Sequence, residues 1–461
     1  MRLTVDTINP HVVATKFAVR GELALKSEGY QARLAKGDKD LPFDQVISAH
    51  IGNPQQLDQK PITFFRQVLS LVENPQLLEK EDVLIDVLGY KPDVVKRAKF
   101  LLSCVGSVGA SSASSGAPAI KESIARFLEK RDGYSADPSK IYLSAGASSG
   151  ITTLLHIICT SPNVGILIPI PQYPLYTATI SLLNAAYVPY NLDESKNWGT
   201  DLDIIRESYK TAKANGVDIR AIVVINPGNP TGASLSEDDI QAIIEFANQE
   251  NLVVIADEVY QPNIFIGEFH SFKAVLCRMQ ENPEYSGVEL ASFHSVSKGM
   301  VGECGHRGGY FELCGFDPGV EANINKLISI MLPCAPVIGQ CLVELMVNPP
   351  RPGDPSYDLY KKEYDGIFKG LKQRANTLYK GFAEMEGVEC GKPQGSMYLF
   401  PTIKLSQKAV EAAKAENRSP DEFYCLKLLE ATGICVVPGA SFGQKKGTLH
   451  FRTAFLAPGT N

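Results

Sequence analysis

The residues able to do chemistry in this 461-residue chain stand where short apolar runs give way to polar, Gly-rich turns. Lys298 follows the run Leu290 to Phe293, in FHSVSKG; Asp257 closes the run before Val259, in ADEVYQ, with the phenol of Tyr260 three residues on. Asn229 sits in the tight turn NPGNPTG, Tyr173 in the Pro-flanked IPIPQYPLY, and Gly146 to Ser148 open a helix in SAGASSG. Each is weak alone. A loop lysine is most often simply solvated, a strand-end Asp usually caps a helix, and a small-residue turn usually only starts one. As a set, they offer an amine for a Schiff base, a carboxylate for a pyridine nitrogen and a ring to stack on. They also offer donors for a phenolate oxygen and backbone N–H groups for a phosphate. Pyridoxal 5'-phosphate is the cofactor that needs this combination. Ser295, Ser297 and Arg307 add hydroxyl and guanidinium donors to the phosphate cradle. Burial and a cationic cofactor site are expected to lower the Lys298 amine toward its working range. A nucleotide phosphate would suit the cradle but leaves Lys298, Asp257 and Asn229 unexplained, and the chain carries no Walker-type P-loop.

These residues need a scaffold, and the rhythm from Ile120 to Gly305 supplies one. Short β-branched runs alternate with longer periodic stretches, which predicts an α/β fold on a mostly parallel sheet. Strands are expected at Lys140 to Leu143, Val164 to Ile168, Ala221 to Ile225, Leu252 to Ile255 and Leu290 to Phe293, with a helix at Ile151 to Cys159. Open α/β sheets bind ligands beyond the carboxyl ends of their strands, so the five loops should converge on one pocket. Helical patterning is also expected around Phe64 to Leu78 and from Tyr360 to Met385, with NPPRPGDPSYD as a surface connection and SVGASSASSGAP as a mobile loop. The division expected is 1–103 as an N-terminal arm and part of a small domain, 104–345 as a large cofactor-binding domain, and 346–461 as a C-terminal small α+β domain.

Composition excludes several classes. Hydrophobic residues make up 44% and charged residues 21%, the usage of a folded globular protein rather than a disordered or coiled-coil one. The formal net charge of -6 recommends neither nucleic acid nor an anionic membrane as partner. The ten cysteines form no CxxC pair and no Cys/His cluster at zinc spacing, so free thiols in a reducing compartment and no metal site are expected. The N-terminal stretch, with Asp6 and no continuous apolar run, reads as neither a secretory signal nor a strong transit peptide. No apolar run approaches the roughly 20 residues of a membrane span. The cytosol is the default compartment, with a mitochondrial form left open.

At these motifs the chain resembles a known family. NPGNPTG, ADEVYQ and SVSKGMVGECGHRGGY resemble the class I/II pyridoxal-phosphate aminotransferases of fold type I. IGNPQQLDQKP, SVGASSASSGAP, KPQGSMYLFP, and PDEFYC with GICVVPG are similar to the alanine aminotransferases in particular, and the resemblance runs over nearly the whole chain. It implies a large domain with a seven-stranded sheet, a smaller domain from both chain ends, and a homodimer with sites near its interface. It further implies Lys298 as the Schiff-base lysine, Asp257 as partner of the pyridine nitrogen, Tyr260 and Asn229 as donors to the phenolate oxygen, and Tyr173 as the stacking ring. Ala147, Ser148, Ser295 and Arg307 resemble the phosphate cradle. HFRTAFL makes Arg452 the clamp for a substrate α-carboxylate, where a planar fork fits better than a lysine. Gly52 resembles a close-approach glycine, with a simple turn glycine as the equal alternative.

Two departures stand out. The family's GAYS reads Gly109, Ala110, Ser111, Ser112 here, so Ser111 replaces a tyrosine that reaches the partner subunit's cofactor phosphate, which bears on cofactor retention. The chain ends at LAPGTN where relatives continue into a further helix, which bears on small-domain packing. The implied activity is ping-pong amino transfer from L-alanine to 2-oxoglutarate through Lys298, with small amino acids and 2-oxo acids as the only partners besides a second copy. The rivals are an aminotransferase using glyoxylate or an aromatic amino acid, and a cofactor-binding paralogue with weak or no turnover.

Overall fold

Side-chain alternation along the central strands sets the layering of the molecule, a computed structural model that describes residues 3–15, 17 and 21–457. The strands are β1 (Ile141–Ser144), β2 (Val164–Ile170), β3 (Ala186–Asn191), β4 (Asp218–Ile225), β5 (Val253–Asp257), β6 (Leu290–Ser295) and β7 (Gly309–Cys314). They form one sheet in the order β1-β7-β6-β5-β4-β2-β3. Only β7 runs antiparallel to its neighbours, β1 and β6. Ile166, Ile168, Ala221, Val223 and Ile255 join the core on one face, with Ile151, Leu154 and Leu155 of the helix Ala147–Ile158. Leu167, Ile222, Val224, Val254 and Ala256 point the other way, onto the helices Glu237–Glu250 and Phe272–Met279. Burial on both faces is why these strands read as continuous apolar runs.

All five expected strands are present, and β3 and β7 complete the seven. Sequence reading passed over β3 because Pro189 interrupts it; as an edge strand it has a ladder on one side only, where proline is tolerated. It passed over β7 because Glu312 puts a charge in mid-strand. That carboxylate is buried and accepts a hydrogen bond from the equally buried Lys273 at 2.5 Å. The helix read as starting at Ile151 begins at Ala147, since the small residues of ASSG carry no apolar period.

The flanking segments close over the sheet. The helix Thr63–Glu73 buries Phe64, Phe65, Val68, Leu69, Leu71 and Val72, and Pro75 ends its register in a short 3-10 turn. The long helix Tyr357–Ala383 follows the proline-rich connection and leads into small strands: β8 (Val388–Glu389), β9 (Tyr398–Leu399), β10 (Thr402–Ile403), β11 (Val437–Pro438) and β12 (Phe451–Ala454). Of these, β11, β12 and β9 form a three-stranded sheet. The N-terminal segment meets this part: Ile47 bridges Ile434, and Arg418 donates to Glu22 at 2.7 Å. The Ser-rich segment expected to be a mobile loop is tied down. Gln340 donates to Ser112 Oγ at 2.8 Å and accepts from the Ala117 N–H at 2.9 Å, and Ser114 donates to the Pro333 carbonyl at 2.8 Å. Ser111 itself is exposed. The expectation about the chain's end falls on 458–461, outside the described residues. Among the described residues no helix is long and apolar enough to cross a membrane.

Ile255 is fully buried and shares its face of β5 with Asp257, two residues on, so its packing fixes the seat of that carboxylate. Ile255→Ala is expected to cost about 2–5 kcal/mol of stability. Urea unfolding of the cofactor-free chain measures it, and a loss below about 1 kcal/mol would mean that this face is not close-packed.

Candidate active site

The five strand-end loops meet in one cavity of about 680 Å³, lined by all the residues singled out in the sequence as cofactor or substrate contacts except Gly146 and Ser111. β5 delivers Asp257. Its Oδ2 accepts a hydrogen bond from Tyr176 Oη at 2.9 Å, while Oδ1 is buried with no partner. Burial pushes this carboxyl up to about 6, against the Tyr176 hydrogen bond, the nearby Val259 N–H and the nearby Lys298.

Lys298 lies in the turn that follows β6, just past the strand's last residue, Ser295, and donates its amine to the Gly52 carbonyl. Of the two causes expected to lower the amine, only burial acts in the chain by itself. Burial does push it down, but the phenol of Tyr398, then Cys304 and Tyr173, outweigh burial and Arg452, and the net direction is upward. Gly52 has an ordinary backbone conformation, so it is not a left-handed turn glycine. Its need is steric: a Cβ there would lie 2.0 Å from Tyr398 Oη.

The anion end is built around Gly146, whose φ of 87° lets β1 turn directly into the helix Ala147–Ile158. A Cβ on Gly146 would lie 2.7 Å from Arg307 Nη2. That guanidinium donates to the Ala145 carbonyl at 2.8 Å and the Cys304 carbonyl at 2.9 Å, which holds it beside the helix N-terminus. Ala147 and Ser148 open that helix, where backbone N–H groups lack intrahelical partners. Ser295 donates its hydroxyl to the Gly308 carbonyl at 3.0 Å, lies 3.0 Å from Ser297 Oγ and accepts from the Ser297 N–H at 3.1 Å.

At the other end lies Arg452, on β12 and 3% exposed. It donates to Asn229 Oδ1 at 3.1 Å and to the His50 carbonyl at 2.8 Å, and its Nε is buried without a partner. Its guanidinium carbon stands 4.2 Å from the Tyr398 ring centroid and 4.7 Å from that of Phe442. No carboxylate among the described residues pairs with it. With Oδ1 taken by Arg452, Asn229 keeps its NH2 for an acceptor in the cavity. His50 stays neutral, since burial and then Arg452 push it down to about 4. Tyr260 is 2% exposed and donates to Tyr398 Oη at 3.4 Å, and Tyr173 lines the cavity partly exposed.

This donor set fits pyridoxal phosphate: an amine, a buried carboxylate oxygen lacking a donor, a ring, and a cradle of helix N–H groups with a guanidinium. Sequence reasoning missed Tyr176, Tyr398 and His50. Tyr398 lies in the family-like motif KPQGSMYLFP, but nothing in its spacing says that β9 brings it to Lys298.

Comparison with known proteins agrees. Residues 86–461 match the family model described as aminotransferase class I and II. The chain is 52% identical over 464 residues to a mitochondrial alanine aminotransferase of Saccharomyces cerevisiae, covering 99% of this chain and 78% of that protein. It is 48% identical over 465 residues to an inactive alanine aminotransferase of the same yeast, covering 100% and 92%. A solved alanine aminotransferase from Pyrococcus furiosus superposes with a TM-score of 0.74 at 23% identity, over 98% of this chain and 95% of that one, a likeness of fold.

The unpartnered Asp257 oxygen has a pH signature. A carboxyl whose folded value, about 6, lies above its unfolded value of about 3.9 favours the neutral form. Its contribution to stability is present below about pH 4 and is lost as pH rises through about 6. In the cofactor-free chain, Asp257→Asn is therefore expected to gain on the order of 2 kcal/mol over the parent between about pH 4 and about pH 8. Urea midpoints at the two pH values check this, and a pH-independent difference would remove the buried charge from the account.

Proposed function

The chain belongs to the class I and II aminotransferases, and on that footing we propose that it exchanges the amino group of L-alanine with the oxo group of 2-oxoglutarate, giving pyruvate and L-glutamate. One observation carries the reading: an amine, a buried carboxylate with a free oxygen and a buried guanidinium without a counter-charge share one cavity. Pyridoxal phosphate, when bound, supplies the electron sink that makes an amino acid's α-proton removable. Lys298 is the amine that would hold its aldehyde carbon. Asp257 Oδ1 would accept from its ring N–H, Asn229 and Tyr260, the latter turned from Tyr398, would donate to its ring oxygen, and Tyr173 would be the ring it stacks on. Ala147, Ser148 and Arg307 would take its phosphate directly, with Ser295 orienting Ser297 beside them.

The chain's own residues then divide the work. Arg452 offers a flat fork to an α-carboxylate, already turned by Asn229 and His50, so little ordering is left for the substrate to drive. Lys298 Nζ, when free, is the base placed to take the α-proton and would hand it on across the amino nitrogen to the cofactor carbon. Both substrates present an α-carboxylate to the same arginine. They must therefore occupy the cavity in turn, which makes the kinetics ping-pong.

A homodimer belongs to the same proposal. Among the described residues the charged cations lining the cavity are Lys298, Arg307 and Arg452, each with a task, so the distal carboxylate of glutamate lacks a cation from them. A second copy of the chain would supply that wall. The ten cysteines, all free, favour a reducing compartment, for which we keep the cytosol. The relative named inactive raises a second reading, cofactor binding without turnover. Lys298, Asp257 and Arg452 standing together weigh against it, and loss of the bound aldehyde's absorbance on adding L-alanine decides between the two.

Lys298→Ala is expected to abolish transamination with the fold retained, and borohydride reduction followed by peptide mapping should label Lys298 in the parent. Label on another lysine would falsify the assignment. Arg452→Lys should lower kcat/KM for alanine and glutamate alike by about ten- to a hundredfold, because a lysine cannot form the bidentate pair. A loss confined to glutamate would move Arg452 to the distal carboxylate.

A further inference from the structure

Tyr398 touches both ends of this chemistry and has been given no part in it. It opens β9 with its side chain 2% exposed. Its hydroxyl oxygen accepts a hydrogen bond from Tyr260 at 3.4 Å. The position that a Cβ on Gly52 would take lies 2.0 Å from this oxygen and 3.3 Å from Lys298 Nζ, so the phenol and the amine crowd one point beside the Gly52 backbone. Its ring meanwhile stands 4.2 Å from the Arg452 guanidinium carbon. β9 pairs with β12, Ala454 opposite Tyr398 and Leu399 opposite Thr453, so one small sheet carries both the ring and the arginine.

We propose that Tyr398 is a positioning residue for both functional groups, its hydroxyl holding the Lys298 amine whenever that amine is free and its ring seating the Arg452 guanidinium. The proposal rests on the transamination reading and deepens it. While Lys298 carries the substrate's α-proton it is an ammonium, and an ammonium in a closed cavity needs acceptors or it leaves for water. The Gly52 carbonyl is one acceptor. Tyr398 Oη, beside the same point of the Gly52 backbone, is the other. The proton count does not change: the proton stays on nitrogen until it is returned to carbon.

The charged and titratable groups around the pair agree with an acceptor role. Cys304 and Tyr173 face Lys298 from neighbouring loops, Asp257 from the end of β5, and Arg452 from β12. Burial pushes the Tyr398 phenol up, but Lys298, Arg452 and the Tyr260 hydrogen bond outweigh it and bring the phenol below its ordinary value. Lys298 moves the opposite way, the charge counterpart of the same proximity. The ring's part is independent of the hydroxyl's. A guanidinium over an aromatic face keeps its N–H edge free, and that edge is what a carboxylate binds.

Two substitutions separate the parts. Tyr398→Phe keeps the ring and removes the acceptor, whereas Tyr398→Leu removes both; Tyr398→Met takes its place if the leucine variant does not fold. Trace acetylation of Lys298 in the cofactor-free full chain across pH, read by peptide mass spectrometry, follows the amine directly. The midpoint is expected to fall by about one pH unit in Tyr398→Phe. In the cofactor-loaded enzyme the same variant should lose about ten- to a hundredfold in kcat, with KM for alanine changed less than about threefold. The leucine or methionine variant should add a rise of about tenfold in KM for alanine. An unchanged labelling midpoint overturns the hydroxyl's part, and an unchanged KM in the ring-free variant overturns the ring's. Borohydride labelling of Lys298 in the loaded parent judges the transamination reading separately, because the acetylation midpoint needs neither cofactor nor turnover.

Discussion

A buried carboxylate and a buried guanidinium lie in one cavity, and neither has an opposite charge to itself. Leaving a charge uncompensated in a protein interior costs several kcal/mol, so folds normally pair such groups or keep them out. Here each receives partial compensation that leaves one atom over. Asp257 has the Tyr176 hydroxyl on Oδ2 and nothing on Oδ1; Arg452 has the Asn229 amide, the His50 carbonyl and two rings, and nothing on Nε. The deficit on each is the shape of what must bind. On the proposed function an N–H donor would complete the first and a carboxylate the second, and the stability left out of the free chain would return as affinity.

That arrangement depends on strands from different parts of the chain ending at one place. β4, β5 and β6 are parallel neighbours, so their carboxyl ends bring Asn229, Asp257 and Lys298 to the same edge of the sheet. Arg452 and Tyr398 arrive from the small sheet, and Gly52 from the N-terminal segment. Glycine matters where these parts touch. Gly52 admits the Tyr398 hydroxyl and Gly146 admits the Arg307 guanidinium, both at distances no side chain would allow. The cavity is thus defined by close approach between segments more than by any one loop.

The large sheet and its loops were legible in the sequence because both faces are buried and each strand end carries polar residues with little other use. Asp257, Lys298 and Asn229 follow from that pattern. The edge strand β3 was hidden by Pro189 and β7 by Glu312, each tolerated for a tertiary reason that no local window contains: one open edge, and one buried lysine. Tyr176 and Tyr398 were hidden in the same way. Their roles depend on a hydrogen bond to Asp257 and on proximity to Lys298, residues 81 and 100 positions away in the chain. The phenol beside Lys298 was hidden likewise, since burial can be inferred from an apolar strand but a facing phenol cannot.

Turnover is a local property of this fold and does not track overall likeness. The chain is 52% identical to a relative named as an enzyme and 48% to one named inactive, a difference too small to decide anything. What distinguishes a working site is whether the amine, the carboxylate and the guanidinium each keep the partners that hold them in place. In this chain those partners are few and specific, namely Tyr176 for Asp257, Asn229 and His50 for Arg452, and Gly52 for Lys298. Loss of any one would leave the sheet, the core and most of the sequence intact while removing one of the three groups from its position. Catalytic competence in this fold therefore rests on a handful of hydrogen bonds whose contribution to global stability is small, so activity can be lost without loss of the fold.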